Sequence, residues 1–99
     1  MFSVHTHMTA HRIVCIRKPD RFSTHEHITH VGYDGKLWSR EYVISLIKAG
    51  TDSFYVYEDG YRSEVGVVTP DWPRQPYLRT YSDGEWNDNL LSLDECIVH

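Results

Sequence analysis

The chain has 99 residues, 40% hydrophobic and 24% charged, with four prolines and six glycines. A chain of that length and composition is one globular domain, which excludes a multidomain machine and a disordered or fibrous chain. Net charge is −4, divided as +3 over residues 1–50 and −7 over residues 51–99, and an acidic total disfavours nonspecific nucleic-acid binding, which needs clustered cations.

The first ten residues carry no hydrophobic period and read as a flexible lead to a single domain over residues 11–99. They lack the basic and apolar regions of a signal peptide. No apolar run approaches the roughly 20 residues of a membrane helix, so the expectation is a soluble, cytoplasmic protein. Residues 11–17 contain Ile13-Val14-Cys15-Ile16, an unbroken apolar run that predicts a strand buried on both faces and ended by Pro19-Asp20. Arg12, Arg17, Lys18 and Arg21 form the one dense cationic cluster and read as a solvated strand end. Residues 25–32, with Ile28, Thr29 and Val31, predict a second strand, antiparallel to the first and closed by the turn Asp34-Gly35.

A helix over 39–49 follows. Ser39 suits its N-cap, Glu41 the positive end of its dipole and Gly50 a left-handed stop. Val43, Leu46, Ile47 and Gly50 form its apolar stripe. Residues 53–69 predict a hairpin about a type I′ turn at Asp59-Gly60. With Glu58 opposite Tyr61, Phe54, Val56, Val65 and Val67 share the face beneath the helix, and Tyr55, Tyr57, Arg62 and Glu64 share the other. Three prolines around Trp72 bar a central strand over 69–76, and residues 77–81 alternate again before Asp83-Gly84. A short strand can follow at 96–98. The expected fold is α+β: an antiparallel sheet of about five strands in chain order ββαβββ with one helix on one face.

Three constellations carry potential chemistry. His25 and His27 lie two apart on a predicted strand, so both side chains would point one way and could converge on zinc. A third ligand would come from His11, Glu26 or the His5 and His7 lead, and exposed polar strand residues are the simpler account. If Leu78 points inward, Tyr77, Arg79 and Tyr81 join Tyr55, Tyr57 and Arg62 in an aromatic and basic platform. Such a platform suits a protein interface or unpaired bases, although tyrosine also serves merely to cover a sheet. Asp83, Asp88 and Asn89 are better explained by turn formation than by a cation. Cys15 and Cys96 lack a Cys-x-x-Cys spacing and read as reduced, packed side chains. No Gly-rich phosphate loop precedes the helix and no nucleophile has a base placed beside it, so an enzyme is not expected.

The ordered motifs Ile13-Val14-Cys15-Ile16, Ile28-Thr29-His30-Val31-Gly32, Trp38 before a helix ending in Ala49-Gly50, and Phe54-Tyr55-Val56 occur together here. They are joined by Tyr77-Leu78-Arg79-Thr80, Asp83, Asn89-Leu90-Leu91-Ser92-Leu93 and Cys96. Over roughly residues 11–98 this set resembles a family of small bacterial proteins known only as a domain of unknown function. One departure is Asp94, at a position where the family usually has proline. The resemblance implies a prokaryotic or phage origin and no activity. The functional expectation is therefore a protein-binding or regulatory module with a protein partner or a homodimer. One version is a phage or mobile-element inhibitor acting through acidic Asp88, Asp94 and Glu95. The alternatives are a single-stranded nucleic-acid binder and a zinc protein.

Overall fold

The computed structural model describes residues 8–97. It contains β1 (Thr9–Arg12), β2 (Cys15–Arg17), a 3-10 turn (His25–His27), β3 (His30–Tyr33), β4 (Lys36–Ser39), α1 (Arg40–Ala49), β5 (Asp52–Glu58), β6 (Tyr61–Val68), β7 (Tyr77–Ser82) and β8 (Glu85–Asn87). The α+β class and the one helix agree with the sequence reading, but the single antiparallel sheet does not. There are two sheets, a five-stranded one in the order β1-β5-β6-β7-β8 and a three-stranded one in the order β2-β3-β4. The larger is mixed, because β1 runs parallel to β5. Most of the expected lead lies outside the described residues, while Thr9 and Ala10 belong to β1.

The sheets divide within the first apolar run. Ile13 N–H donates to Tyr55 O in one sheet and Val14 N–H to Gly32 O in the other. Continuous apolarity here marks a chain passing between two sheets rather than a strand buried on both faces. Ile13 and Ile16 are buried, whereas Val14 is 55% exposed.

Local chemistry sets the remaining connections. Asp34-Gly35, Asp59-Gly60 and Asp83-Gly84 all have positive φ at both residues, between 51° and 78°. They sit between the paired residues Tyr33 and Lys36, Glu58 and Tyr61, and Ser82 and Glu85. Each is the two-residue loop whose twist matches that of its strands, and glycine removes the Cβ penalty at the second position. Two of the loops lead into strands that the sequence reading left out, β4 and β8. The expected Glu58–Tyr61 register is present, with Val56 opposite Ser63 and Tyr55 opposite Glu64.

In α1, Ser39 Oγ accepts from Tyr42 N–H at 3.1 Å, and Gly50 closes the helix at φ 74°. Val43 and Ile44 are buried, and Leu46 and Ile47 pack beside them. The helix lies against β4 and across β5, β6 and β7. With the smaller sheet and the 88–93 segment, it encloses one core around Phe54, Val56, Leu78, Ile16, Val31 and Leu90. Full burial of a Phe54-sized side chain contributes about 2 kcal/mol.

A buried polar network pins the 88–93 segment to the inner side of the large sheet. Thr80 Oγ1 donates to Asn87 Oδ1 at 2.5 Å and accepts from Leu90 N–H at 3.1 Å. Asn89 Nδ2 and Asn87 Nδ2 donate to Ser63 Oγ at 2.8 and 3.2 Å. Thr80 and Ser63 are fully buried, so these bonds replace water at groups that would otherwise be costly to bury.

The cysteines are not reduced packed thiols. Cys15 and Cys96 form a disulfide, with Cα atoms 4.9 Å apart despite 81 residues of separation. Sequence distance gave no hint of this, because a nonlocal pairing brings them together: Glu95 forms a parallel bridge with Ile16 on the outer edge of β2. The bridge lies at Glu95; Cys96 and Ile97 of the expected 96–98 strand are not in a strand, and residues 98–99 lie outside the described residues.

Candidate functional site: the aromatic face of the large sheet

Strand alternation puts the helix-facing residues on one side of the large sheet and the predicted platform on the other. Leu78 is buried inward, which places Tyr77, Arg79 and Tyr81 on the outer face with Tyr55, Tyr57 and Arg62. The registers also align one row across all five strands, Arg12, Tyr55, Glu64, Tyr81 and Trp86. Trp86 was missed because β8 was missed. The signal that could have found it is Asp83-Gly84 followed by an aromatic residue in hairpin register.

Contacts within the face are specific. The Arg62 guanidinium lies 4.0 Å from the Tyr55 ring centroid while its Nε donates to Glu64 at 2.8 Å. Arg12 lies over the Tyr57 ring, 5.4 Å from its centroid, and donates to Tyr57 O. Tyr81 and Trp86 meet edge to face at 5.5 Å. Beneath them is Gly66, where an added Cβ would come within 3.0 Å of the Tyr81 ring and 3.2 Å of the Trp86 ring. The two rings thus cover a strand glycine, which supplies the packing that glycine lacks. Tyr57, Tyr81 and Trp86 remain exposed.

Arg79 is engaged elsewhere. Its Nη2 donates to Asp88 Oδ1 at 3.1 Å and its Nε to Asn87 O at 3.3 Å. The same Asp88 oxygen lies 3.2 Å from His25 Nε2, a close approach that lacks hydrogen-bond geometry. Burial holds His25 below the ordinary histidine range, reinforced by the Arg79 charge, opposed by Asp88 and reinforced again by Lys18. Of the three acids expected to form an acidic contact, Asp88 is therefore engaged by Arg79, whereas Asp94 and Glu95 lie exposed on the segment beside β2.

The strand that was to align His25 with His27 is a 3-10 turn, and His30 lies beyond it in β3. The strand argument for convergent histidines therefore fails. Thr24 and the Ile28 N–H bond back to His25 O close a helical turn instead. Among the described residues no group of three His, Cys, Asp or Glu side chains could hold a metal ion; His5 and His7 lie outside them. Glu26, considered as a ligand, pairs with Arg74. The cationic cluster is also dispersed, with Arg12 on the large sheet, Arg17 on the small one, and Lys18 donating to Arg21 O in the turn that follows.

A second polar group was not anticipated. His11 Nε2 lies 2.6 Å from Asp52 and its Nδ1 3.3 Å from Asp34, with the ring between Tyr33 and Phe54. The His11 hydrogen bond holds the Asp52 carboxyl below its usual range, helped by Thr51. Both ring nitrogens face carboxylates, so the cluster ties β1 to β5 and to the Asp34 turn and leaves no nitrogen directed at an external group.

No helix among the described residues is long and apolar enough to cross a membrane. No curated protein and no solved structure matches the chain. Residues 12–94 match a family model described as a protein of unknown function, DUF3892, and the chain belongs to that family.

Proposed function

We propose that the chain is a small protein-binding module whose contact surface is the outer face of the large sheet. The observation that carries this reading is the union of exposed Tyr57, Tyr81 and Trp86 with arginines already satisfied inside the fold. Tyrosine, tryptophan and arginine held in fixed geometry make effective interface anchors, since little side-chain freedom is lost on binding. Single-stranded nucleic acid is less favoured. Arg62 and Arg79 each face a carboxylate, so a phosphate would have to displace Glu64 or Asp88 to reach them.

A second copy of the chain is the partner to test first, because an exposed aromatic face with paired opposite charges is compatible with its own copy across a twofold axis. Sedimentation velocity over a micromolar range would compare the wild type with Tyr57→Ser/Tyr81→Ser, with circular dichroism checking the fold. A wild-type dimer that dissociates in the variant supports the reading. A dimer that survives moves the contact off this face and overturns it. If the wild type is monomeric, self-association is rejected, and a photocrosslinking residue at position 57 tests the face in the producing cell. Absence of any protein adduct there would remove the proposal.

A further inference from the structure

Residues 94–97 lie on the surface beside β2. Leu90 and Leu93 are buried, but Asp94 and Glu95 are exposed and Ile97 is 82% exposed. Two backbone bonds join this segment to β2: Ile16 N–H to Asp94 O at 3.0 Å, and Cys96 N–H to Ile16 O at 2.8 Å. The net gain from two partly solvated hydrogen bonds does not offset the entropy lost in ordering several residues. Among the described residues the covalent tie is the disulfide to Cys15.

The surrounding residues accommodate that bond. Gly32 lies opposite Cys15 in the antiparallel pairing of β2 and β3. A Cβ at residue 32 would fall 2.2 Å from Cys15 Sγ and 2.9 Å from Cys96 Sγ. The space of a side chain is thus occupied by the two sulfurs. Both cysteines are half-buried and line a groove of about 450 Å³ with Val14, Tyr33, Leu37 and Ile97, which gives a thiol a route to the bond.

We propose that the Cys15–Cys96 disulfide is a thiol-operated latch: its reduction frees residues 94–97 and uncovers the outer edge of β2 while both sheets and the helix stay folded. The proposal does not rest on the binding role of the aromatic face. The reductant is a dithiol. One of its thiolates attacks a protein sulfur, the Sγ–Sγ bond breaks, and the other protein sulfur leaves as a thiolate and takes a proton. The second thiolate of the dithiol attacks the mixed disulfide and releases the second protein thiol. Two electrons and two protons reach the protein, and the dithiol becomes a disulfide. The exposed edge then presents the N–H and C=O of Ile16, which the oxidised form keeps paired.

Hydrogen exchange with mass spectrometry tests this on the full chain, oxidised and after treatment with dithiothreitol. On reduction, the Ile16 and Cys96 amides should exchange within about tenfold of an unstructured peptide, while the β5–β6 amides stay protected. Cys96→Ser should show the reduced pattern from the start and not respond to dithiothreitol. If Ile16 and Cys96 stay protected after reduction, the segment holds without the bond and the latch is wrong. Collapse of protection throughout the chain would make the bond a staple of the whole fold, which also overturns it. Alkylation of both cysteines after exposure to oxidant would show that no bond forms, with the same consequence.

Discussion

Arg79 and Asp88 form an ion pair on the rim of the aromatic face, the guanidinium donating to Oδ1 at 3.1 Å. The pair converts a residue that reads as available cation into a fixed part of the surface, much as Glu64 does for Arg62. Neither pair is deeply buried, so their worth lies less in stability than in what they deny to an incoming anion.

If Glu64 and Asp88 deny Arg62 and Arg79 to an anion, removing the two carboxylates should create affinity for nucleic acid. Wild-type protein should show no saturable binding to a labelled single-stranded oligonucleotide at concentrations up to about 100 μM in low salt. Glu64→Gln/Asp88→Asn should bind measurably, with affinity that falls as salt rises. Fluorescence anisotropy reads both, and tight binding by the wild type would reverse the preference for a protein partner.

Thr80 is the stability position with the clearest polar role. Thr80→Val keeps the shape but removes the hydroxyl that serves Leu90 N–H and Asn87 Oδ1, leaving both without that partner in a buried setting. The expected loss is about 1–3 kcal/mol in urea unfolding. Disordering of the 88–93 segment should accompany it, seen as faster exchange of the Leu90 amide. A variant as stable as the wild type would show that the network is dispensable.

How far the sequence leads depends on whether the controlling interaction is local. The helix was legible because Ser39 and Gly50 act within one turn of its ends, and the 52–68 hairpin because Asp59-Gly60 sets both turn and register. Tyr55, Tyr57 and Arg62 follow from that register, whereas Tyr77, Arg79 and Tyr81 rest on Leu78 pointing inward, and all six lie on the outer face as alternation requires. The 25–32 reading failed where β-branched Ile28 and Thr29 suggested a strand reaching back to His25, whereas those residues follow a helical turn. The parallel pairing of β1 with β5, the shift between sheets at Ile13-Val14 and the Cys15–Cys96 bond all join distant parts of the chain. No short window contains both partners of such a contact. The cysteine pair reads as reduced for this reason: two cysteines are too few for a disulfide framework and lack a Cys-x-x-Cys spacing, and neither rule reaches a pair 81 residues apart.

Tyr33 predicts behaviour in alkali. Burial, with Tyr42, Asp52 and Asp34 nearby, pushes its phenol up to about 12. The unfolded chain releases this proton near 10 while the folded one retains it, so the folded state loses stability as pH rises from about 10 towards 12. Tyr33→Phe should remove this part of the alkaline loss, on the order of 2 kcal/mol. It should also delete the ionisation near 12 from an ultraviolet titration. An unchanged titration in the variant would refute the assignment.

His25 gives the corresponding behaviour in acid. Its imidazole is held below the ordinary value chiefly by burial, with Arg79 and Lys18 adding to the effect and Asp88 alone opposing it. As pH falls through about 6.5, the unfolded chain takes up this proton before the folded chain does. Stability is therefore lost from there downward until the folded pKa is passed. His25→Gln cannot take up the proton, so its urea midpoint should fall less than that of the wild type between pH 7.5 and 5. Asp88→Asn removes the one opposing charge, and NMR titration should place His25 lower still in that variant. If His25 instead titrates above 6.5 in the wild type, the contact with Asp88 is a charged pair, and the sign of the acid response at this site reverses.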